Sequence, residues 1–291
     1  MAIPVVAMHG KRAGPTVWLS GAIHGDEVCG VEIIRQALSH LDLKSMAGTV
    51  LAVPVVNVPG FASGDRYLPD RRDLNRSFPG STRGSLASRF AHTFMTEVVE
   101  RSEVGIDLHT GSDHRANLPQ IRADLDDELT HELTEVFAPP VALHARLRDG
   151  SLREAAVRAG ATTLLYEGGE AWRFDDDAVA SGVGGVTRVL HHLGVLPEPV
   201  TDVAPPSETR FLRKSSWLRS PNSGVARVLV KLGDNVVVGQ NIAVVADAIG
   251  SKESVVHARR SGVVIGRNER PVVHGGDALV HIAHVNGSYS R

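Results

Sequence analysis

Short apolar runs alternate along the chain with longer stretches whose apolar residues recur every three or four positions. Residues 2–7, 16–20 and 49–57 read as strands; the last, Thr49-Val50-Leu51-Ala52-Val53-Pro54-Val55-Val56-Asn57, is apolar enough to be covered on both faces. Between the second and third, Val28, Val31, Ile33, Ile34, Ala37 and Leu38 mark one face of a helix over residues 27–41. A strand, a helix and a strand in that order pair in parallel. Residues 85–101 repeat the helical pattern through Leu86, Phe90, Phe94 and Val98. Residues 104–109 and 162–166 read as further strands, and residues 126–137, 151–159 and 183–193 as helices. The alternation predicts an α/β fold with a doubly wound, mostly parallel sheet.

Two stretches interrupt it. Residues 58–85 are polar and rich in Gly, Pro, Asp and Arg, and a loop of that length inside a compact domain is usually functional. Residues 194–208 hold four prolines and no apolar periodicity. A Pro-rich linker is therefore set at residues 196–208, between a first domain of residues 1–195 and a second of residues 209–291. The second part lacks helical periodicity and is rich in Val and Gly, which predicts a smaller all-β domain. Within it, the stretch from Ser223-Gly224-Val225 to Gly239-Gln240-Asn241-Ile242 can be laid on Ser261-Gly262-Val263 to Gly276-Asp277-Ala278-Leu279 with a one-residue gap. Two such halves resemble the β-sandwich of biotinyl and lipoyl carrier domains. Lys252 lies where those carriers present a modified lysine, but Gly250-Ser251-Lys252-Glu253-Ser254 lacks their preceding Asp and their Met neighbours, so it reads as a solvated turn lysine.

Composition narrows the class. The 291 residues, 42% hydrophobic and 22% charged, suit a large globular domain plus a smaller one. A net charge of −2 without a long basic run gives no reason to expect nucleic acid as a partner. No segment approaches 18 uninterrupted apolar residues, so no membrane partner is expected. A single cysteine, Cys29, fits a reducing compartment and reads as a buried structural thiol. The N-terminus lacks a signal-peptide pattern, and a cytoplasmic location is expected. Assembly as a homo-oligomer is left open.

Candidate chemistry begins at Gly21-Ala22-Ile23-His24-Gly25-Asp26-Glu27, a small-residue turn between a strand and a helix. Catalytic zinc is commonly held by three ligands drawn from His and Glu, and His24 and Glu27 are close enough to meet one ion. A third ligand should come from a neighbouring strand end, where His109 stands; Asp107, two residues earlier on the same face, would orient a ligand or serve as a cap. Hydrolysis also needs a proton carrier. Glu167, followed by two glycines at a strand end, is the first candidate and Glu170 the second. The loop Asp65-Arg66-Tyr67-Leu68-Pro69-Asp70-Arg71-Arg72-Asp73-Leu74-Asn75-Arg76 carries four arginines, suited to gripping a carboxylate.

These motifs together resemble the aspartoacylase/succinylglutamate desuccinylase family, itself related to the zinc carboxypeptidases. The resemblance rests on the turn holding His24 and Glu27, on Arg66-Tyr67, Asp73-Leu74-Asn75-Arg76-x-Phe78, Asp107-Leu108-His109-Thr110-Gly111 and Glu167-Gly168, in order from about residue 16 to 193. It implies one zinc ion per chain on His24, Glu27 and His109, with Glu167 as general base and acid. It implies that Asn75 and Arg76 hold the substrate's carboxylate and that an upstream arginine polarises the scissile carbonyl. The segment from Arg66 to Asp73 is about two residues longer than the aspartoacylase pattern, so Arg66, followed by Tyr67, is the first choice while Arg71 and Arg72 stay open. The implied reaction is hydrolysis of a small N-acyl amino-acid-like substrate to a carboxylate and an amine. The rivals are a metallocarboxypeptidase acting on short peptides and a non-catalytic carrier or binding protein.

Overall fold

The computed structural model describes residues 2–112 and 114–285. In chain order it runs β1 Val6–His9, β2 Arg12–Gly21, α1 Cys29–Ser39, β3 Ala47–Val53, α2 Val58–Ser63, α3 Leu86–Glu97, β4 Val104–Gly111, β5 Arg115–Ala123, α4 Glu128–Phe137, β6 Val141–His144, α5 Leu152–Arg158, β7 Thr162–Glu170 and α6 Asp176–His192. Strands follow: β8 Arg210–Leu212, β9 Ser215–Arg219, β10 Gly224–Val228, β11 Asn235–Val236, β12 Asn241–Ala246, β13 Glu253–His257, β14 Gly262–Asn268, β15 Val272–Val273 and β16 Ala278–His284. The fold is α/β with a C-terminal β region. No helix among the described residues is long and apolar enough to cross a membrane.

The main sheet is mixed. Strands β3, β2, β4 and β7 pair in parallel, β1 runs antiparallel to β3, and β5 runs antiparallel to β7. Beyond β5 the sheet continues through antiparallel β14, β16 and β9, while β8 pairs with β6. The C-terminal strands thus border the same sheet that carries the first helices. A second sheet, ordered β13-β12-β10-β15, packs on them around Ile242, Val245, Val264 and Leu279.

Alternation along the central strands sorts the two faces. Val17 and Leu19 of β2, with Ile106 and Leu108 of β4, point into the core under α1, α4 and α6. Trp18 points the other way, among Phe90, Phe94 and Leu152. Gly105 makes room for it, since a Cβ there would stand 2.0 Å from the indole ring. Continuing the Trp18 side toward the C-terminal ends of these strands brings Ser20, Asp107 and His109 to one place.

Several expected bounds shift. The strand expected at 2–7 lies at Val6–His9, and the strand at 49–57 ends at Val53. The helix expected from residue 27 starts at Cys29, so His24 and Glu27 sit in the preceding loop. The loop at 58–85 carries α2 and a 3-10 turn at Leu74–Arg76, and the helix expected at 183–193 begins at Asp176, capped by the Asp175 side chain. β4 and β7 run on past His109 and Glu167 because each gains ladder partners there, so neither residue ends its strand. Strands β5 and β6 were not expected.

Candidate active site

The loop after β2 is stitched to its neighbours by backbone bonds, Val56 N–H to Gly21 O (3.1 Å) and Asn57 N–H to Ala22 O (2.9 Å). Gly25 packs so closely on α2 that a Cβ would stand 2.1 Å from the carbonyl carbon of Gly60. Only glycine fits there, and the contact fixes the loop that carries His24 and Glu27.

Glu27 is buried at the centre. Its Oε1 lies 2.8 Å from His24 Nδ1 and accepts from Arg66 Nη1 at 2.7 Å. Its Oε2 lies 2.8 Å from His109 Nδ1 and accepts the Thr110 backbone N–H at 3.1 Å. Donor atoms of His24, Glu27 and His109 all fall within 4.8 Å of one another, and all three residues are buried. The far sides of both rings face carboxylates: His24 Nε2 lies 3.1 Å from Asp73, and His109 Nε2 lies 2.9 Å from Asp107. Asp107 is itself held by the Ser20 hydroxyl at 2.8 Å. This is the outer support metal-ligating histidines require, since a carboxylate that accepts a hydrogen bond from Nε2–H leaves Nδ1 as the ligand atom.

The charge balance points the same way. Burial would raise Glu27, yet the two histidines hold its carboxyl well below the usual range. Burial opposes charge on the rings, but Glu27 with Asp73 raises His24, and Asp107 with Glu27 pushes His109 well above an ordinary histidine. Both rings are drawn toward their charged form around Glu27, a need for positive charge that a divalent cation would meet. The donor set of two imidazoles and one carboxylate fits zinc. A second grouping, Asp124, Asp126 and His144, is largely exposed; His144 Nδ1 accepts the Leu125 N–H and Asp126 pairs with Arg213, so its donors are already engaged.

These residues open into a cavity of about 300 Å³. Arg66, Asn75, Arg76, Asp107 and Glu167 line it with the three candidate ligands. Asn75 Oδ1 accepts the Leu152 N–H at 2.8 Å, fixing the amide beside the start of α5, and Arg76 reaches back to the Asn75 carbonyl. The loop turns outward between Leu68 and Arg72: Arg71 N–H bonds Leu68 O (2.8 Å), and Leu68 N–H bonds Arg72 O (3.3 Å). That turn places Arg71 and Arg72 in solvent and outside the residues that line the cavity. Tyr67 is 46% exposed and also outside the lining; its ring lies 5.9 Å from the Arg66 guanidinium. Glu170 faces a different surface hollow beside Arg173 (3.6 Å), three positions along β7 from Glu167.

Several lining residues carried no sequence signal. Asn117 donates to Glu167 Oε2 at 2.7 Å, and Arg122 lies 3.9 Å from Oε1. Arg115, Arg146, Arg148 and Arg153 add positive charge, and Trp217 of β9 closes one side while stacking on His281 at 4.5 Å. Arg153 is buried and donates to the carbonyls of Arg122 and Arg146, tying two walls together. Asp73, which meets His24 from outside the cavity lining, had a legible cue, its place two residues before Asn75.

A family model described as the succinylglutamate desuccinylase/aspartoacylase catalytic domain matches residues 13–193. The chain belongs to this family. It is 31% identical to the N-alpha-acetyl-L-2,4-diaminobutyric acid deacetylase of Halomonas elongata over 97% of this chain and 86% of that protein. Among solved structures it is similar to the product-bound ectoine utilization protein EutE (DoeB) from Ruegeria pomeroyi, with TM-score 0.87, 26% identity, and 97% and 89% of the two chains covered. A succinylglutamate desuccinylase from Silicibacter sp. matches with TM-score 0.87 and 27% identity over 98% of this chain and 89% of the other. The curated relatives are named a deacetylase and a succinylglutamate desuccinylase, and membership of their family supports an enzyme.

Proposed function

We propose that the chain is a zinc-dependent hydrolase that removes the acyl group from a small N-acylated amino acid. The observation that carries this is one buried cluster, His24, Glu27 and His109, opening into the same small cavity as a carboxylate outside the cluster, Glu167. A zinc ion held by the cluster would supply Lewis acidity toward the acyl carbonyl and the attacking water.

The chain's own residues do the rest. Glu167 takes a proton from the water as its oxygen bonds to the acyl carbon, then delivers it to the nitrogen as the carbon–nitrogen bond breaks. Arg66 meets the acyl oxygen, a role its pairing with Glu27 supports by keeping the guanidinium at the inner end. Asn75 and Arg76 grip the amino-acid carboxylate. Seven arginines against three carboxylates in the lining favour an anionic ligand. A cavity of about 300 Å³ suits a single acyl amino acid and not an extended peptide.

The order β3-β2-β4-β7 supports a zinc-carboxypeptidase type of sheet, and the two-sheet C-terminal region supports the biotinyl/lipoyl-like comparison. We keep the division at residues 1–195, 196–208 and 209–291, with exposed Lys252 as a turn residue, and a cytoplasmic setting. A hydrolysis screen of N-acetyl and N-succinyl amino acids beside short unblocked peptides tests the reading. Turnover of acyl amino acids is expected, and turnover of peptides alone would overturn it.

A further inference from the structure

We infer that Asn117 is the positioning residue for Glu167, setting the carboxylate's orientation in the cavity; this rests on the reading of Glu167 as the proton carrier. Asn117 belongs to β5, where the register with β7 slips: Asn117 lies opposite Gly169 but Gln120 lies opposite Glu167. Three residues of β5 therefore span two of β7. Pro119, which has no N–H for the ladder, sits inside the slip. Such bulges re-aim a side chain beside a site. Here the re-aimed amide donates from Nδ2 to Glu167 Oε2 at 2.7 Å.

No other side chain among the described residues hydrogen-bonds this carboxylate. Arg122 stands 3.9 Å from Oε1, a distance for charge attraction and not for a hydrogen bond. Asn117 is 5% exposed, and on its other side Gly266 of β14 allows a close approach: a Cβ there would lie 3.0 Å from Asn117 Oδ1. The amide thus lies between β14 of the C-terminal β region and the site. A buried amide in that position restricts the rotamer of the group it bonds. The C-terminal region would then contribute to turnover through Asn117, without touching the reacting atoms.

The test uses Asn117→Asp, which keeps size and removes the donor, with Asn117→Ala as a second variant. Kinetics are measured on Nα-acetyl-L-2,4-diaminobutyrate and N-succinyl-L-glutamate, beside zinc content, melting temperature and crystal structures. In both variants kcat should fall about tenfold or more with KM within about threefold. The same substitution made in a Glu167→Gln background should change turnover less than about threefold. Crystals of the variants should show the Glu167 carboxylate turned from its place. A raised KM at constant kcat would make Asn117 a substrate contact and overturn the inference, as would equal losses in both backgrounds or an unmoved carboxylate. If Glu167→Gln stays fully active, the proton-carrier reading fails by itself, and the crystal structures still decide whether Asn117 sets Glu167.

Discussion

Asp107 Oδ2 lies 2.9 Å from His109 Nε2, on the opposite side of the ring from Glu27. The two residues share a face of β4, and Ser20 of the adjacent strand holds the remaining Asp107 oxygen. This pairing sets which nitrogen is offered to a metal. Asp107→Asn should weaken zinc about 10–100-fold in a competitive chelator titration while the fold persists. Unchanged affinity would remove Asp107 from that role. Asp73→Asn should act in the same direction through His24.

The outward turn at Leu68–Arg72 separates arginines that sequence left equivalent. Arg76→Ala removes a charge-assisted contact to the substrate carboxylate and should raise KM by about tenfold or more. Arg72→Ala alters an exposed side chain and should leave kcat/KM within about twofold. Steady-state kinetics on one acyl amino acid distinguish the two, and a large effect at Arg72 would return it to the site.

Gly25 links the metal loop to α2 through backbone atoms that cannot move aside. Gly25→Ala should destabilise the protein by about 1–3 kcal/mol in urea unfolding, as overpacking does, and should reduce zinc binding as well. Wild-type zinc affinity in this variant would show that the loop is not fixed by that contact.

His281 gives a stability window in pH. Burial above all, with Arg122 and His284 nearby, lowers its pKa to about 3 from 6.5, while its ring stacks under Trp217. Below pH 6.5 the unfolded chain takes up a proton that the folded chain refuses until about pH 3. The unfolded state therefore binds more protons in that window, and stability falls as pH falls through it, by about 1.4 kcal/mol per unit from this group. Urea unfolding at pH 7, 6, 5 and 4 should show a shallower acid slope in His281→Gln than in wild type. Identical slopes would contradict the assignment.

The central β-α-β unit was legible because its side chains serve a core. Ile33, Ile34 and Ala37 recur on one helical face, and Val17 and Leu19 alternate with Trp18. The candidate ligand trio was legible for a different reason, since His24 and Glu27 share one loop and His109 closely follows Asp107 in a short apolar strand. β5 was not legible: Arg115, Asn117 and Arg122 face the cavity, Pro119 breaks the ladder, and no apolar alternation survives. With β5 hidden, so were the partner of Glu167 and the seam to β14. Arg71 and Arg72 stayed open because local arginine density does not show which side of a turn faces the cavity.

The most direct test of the central claim is restoration of hydrolysis by zinc in chelator-stripped protein, with N-acetyl and N-succinyl amino acids as substrates. Stripped wild-type protein is expected to be inactive, with activity rising linearly and levelling off at about one zinc per chain, and His109→Ala is expected to show no such rise. Full hydrolysis by stripped protein, or activity in His109→Ala equal to wild type at that zinc level, would contradict the claim.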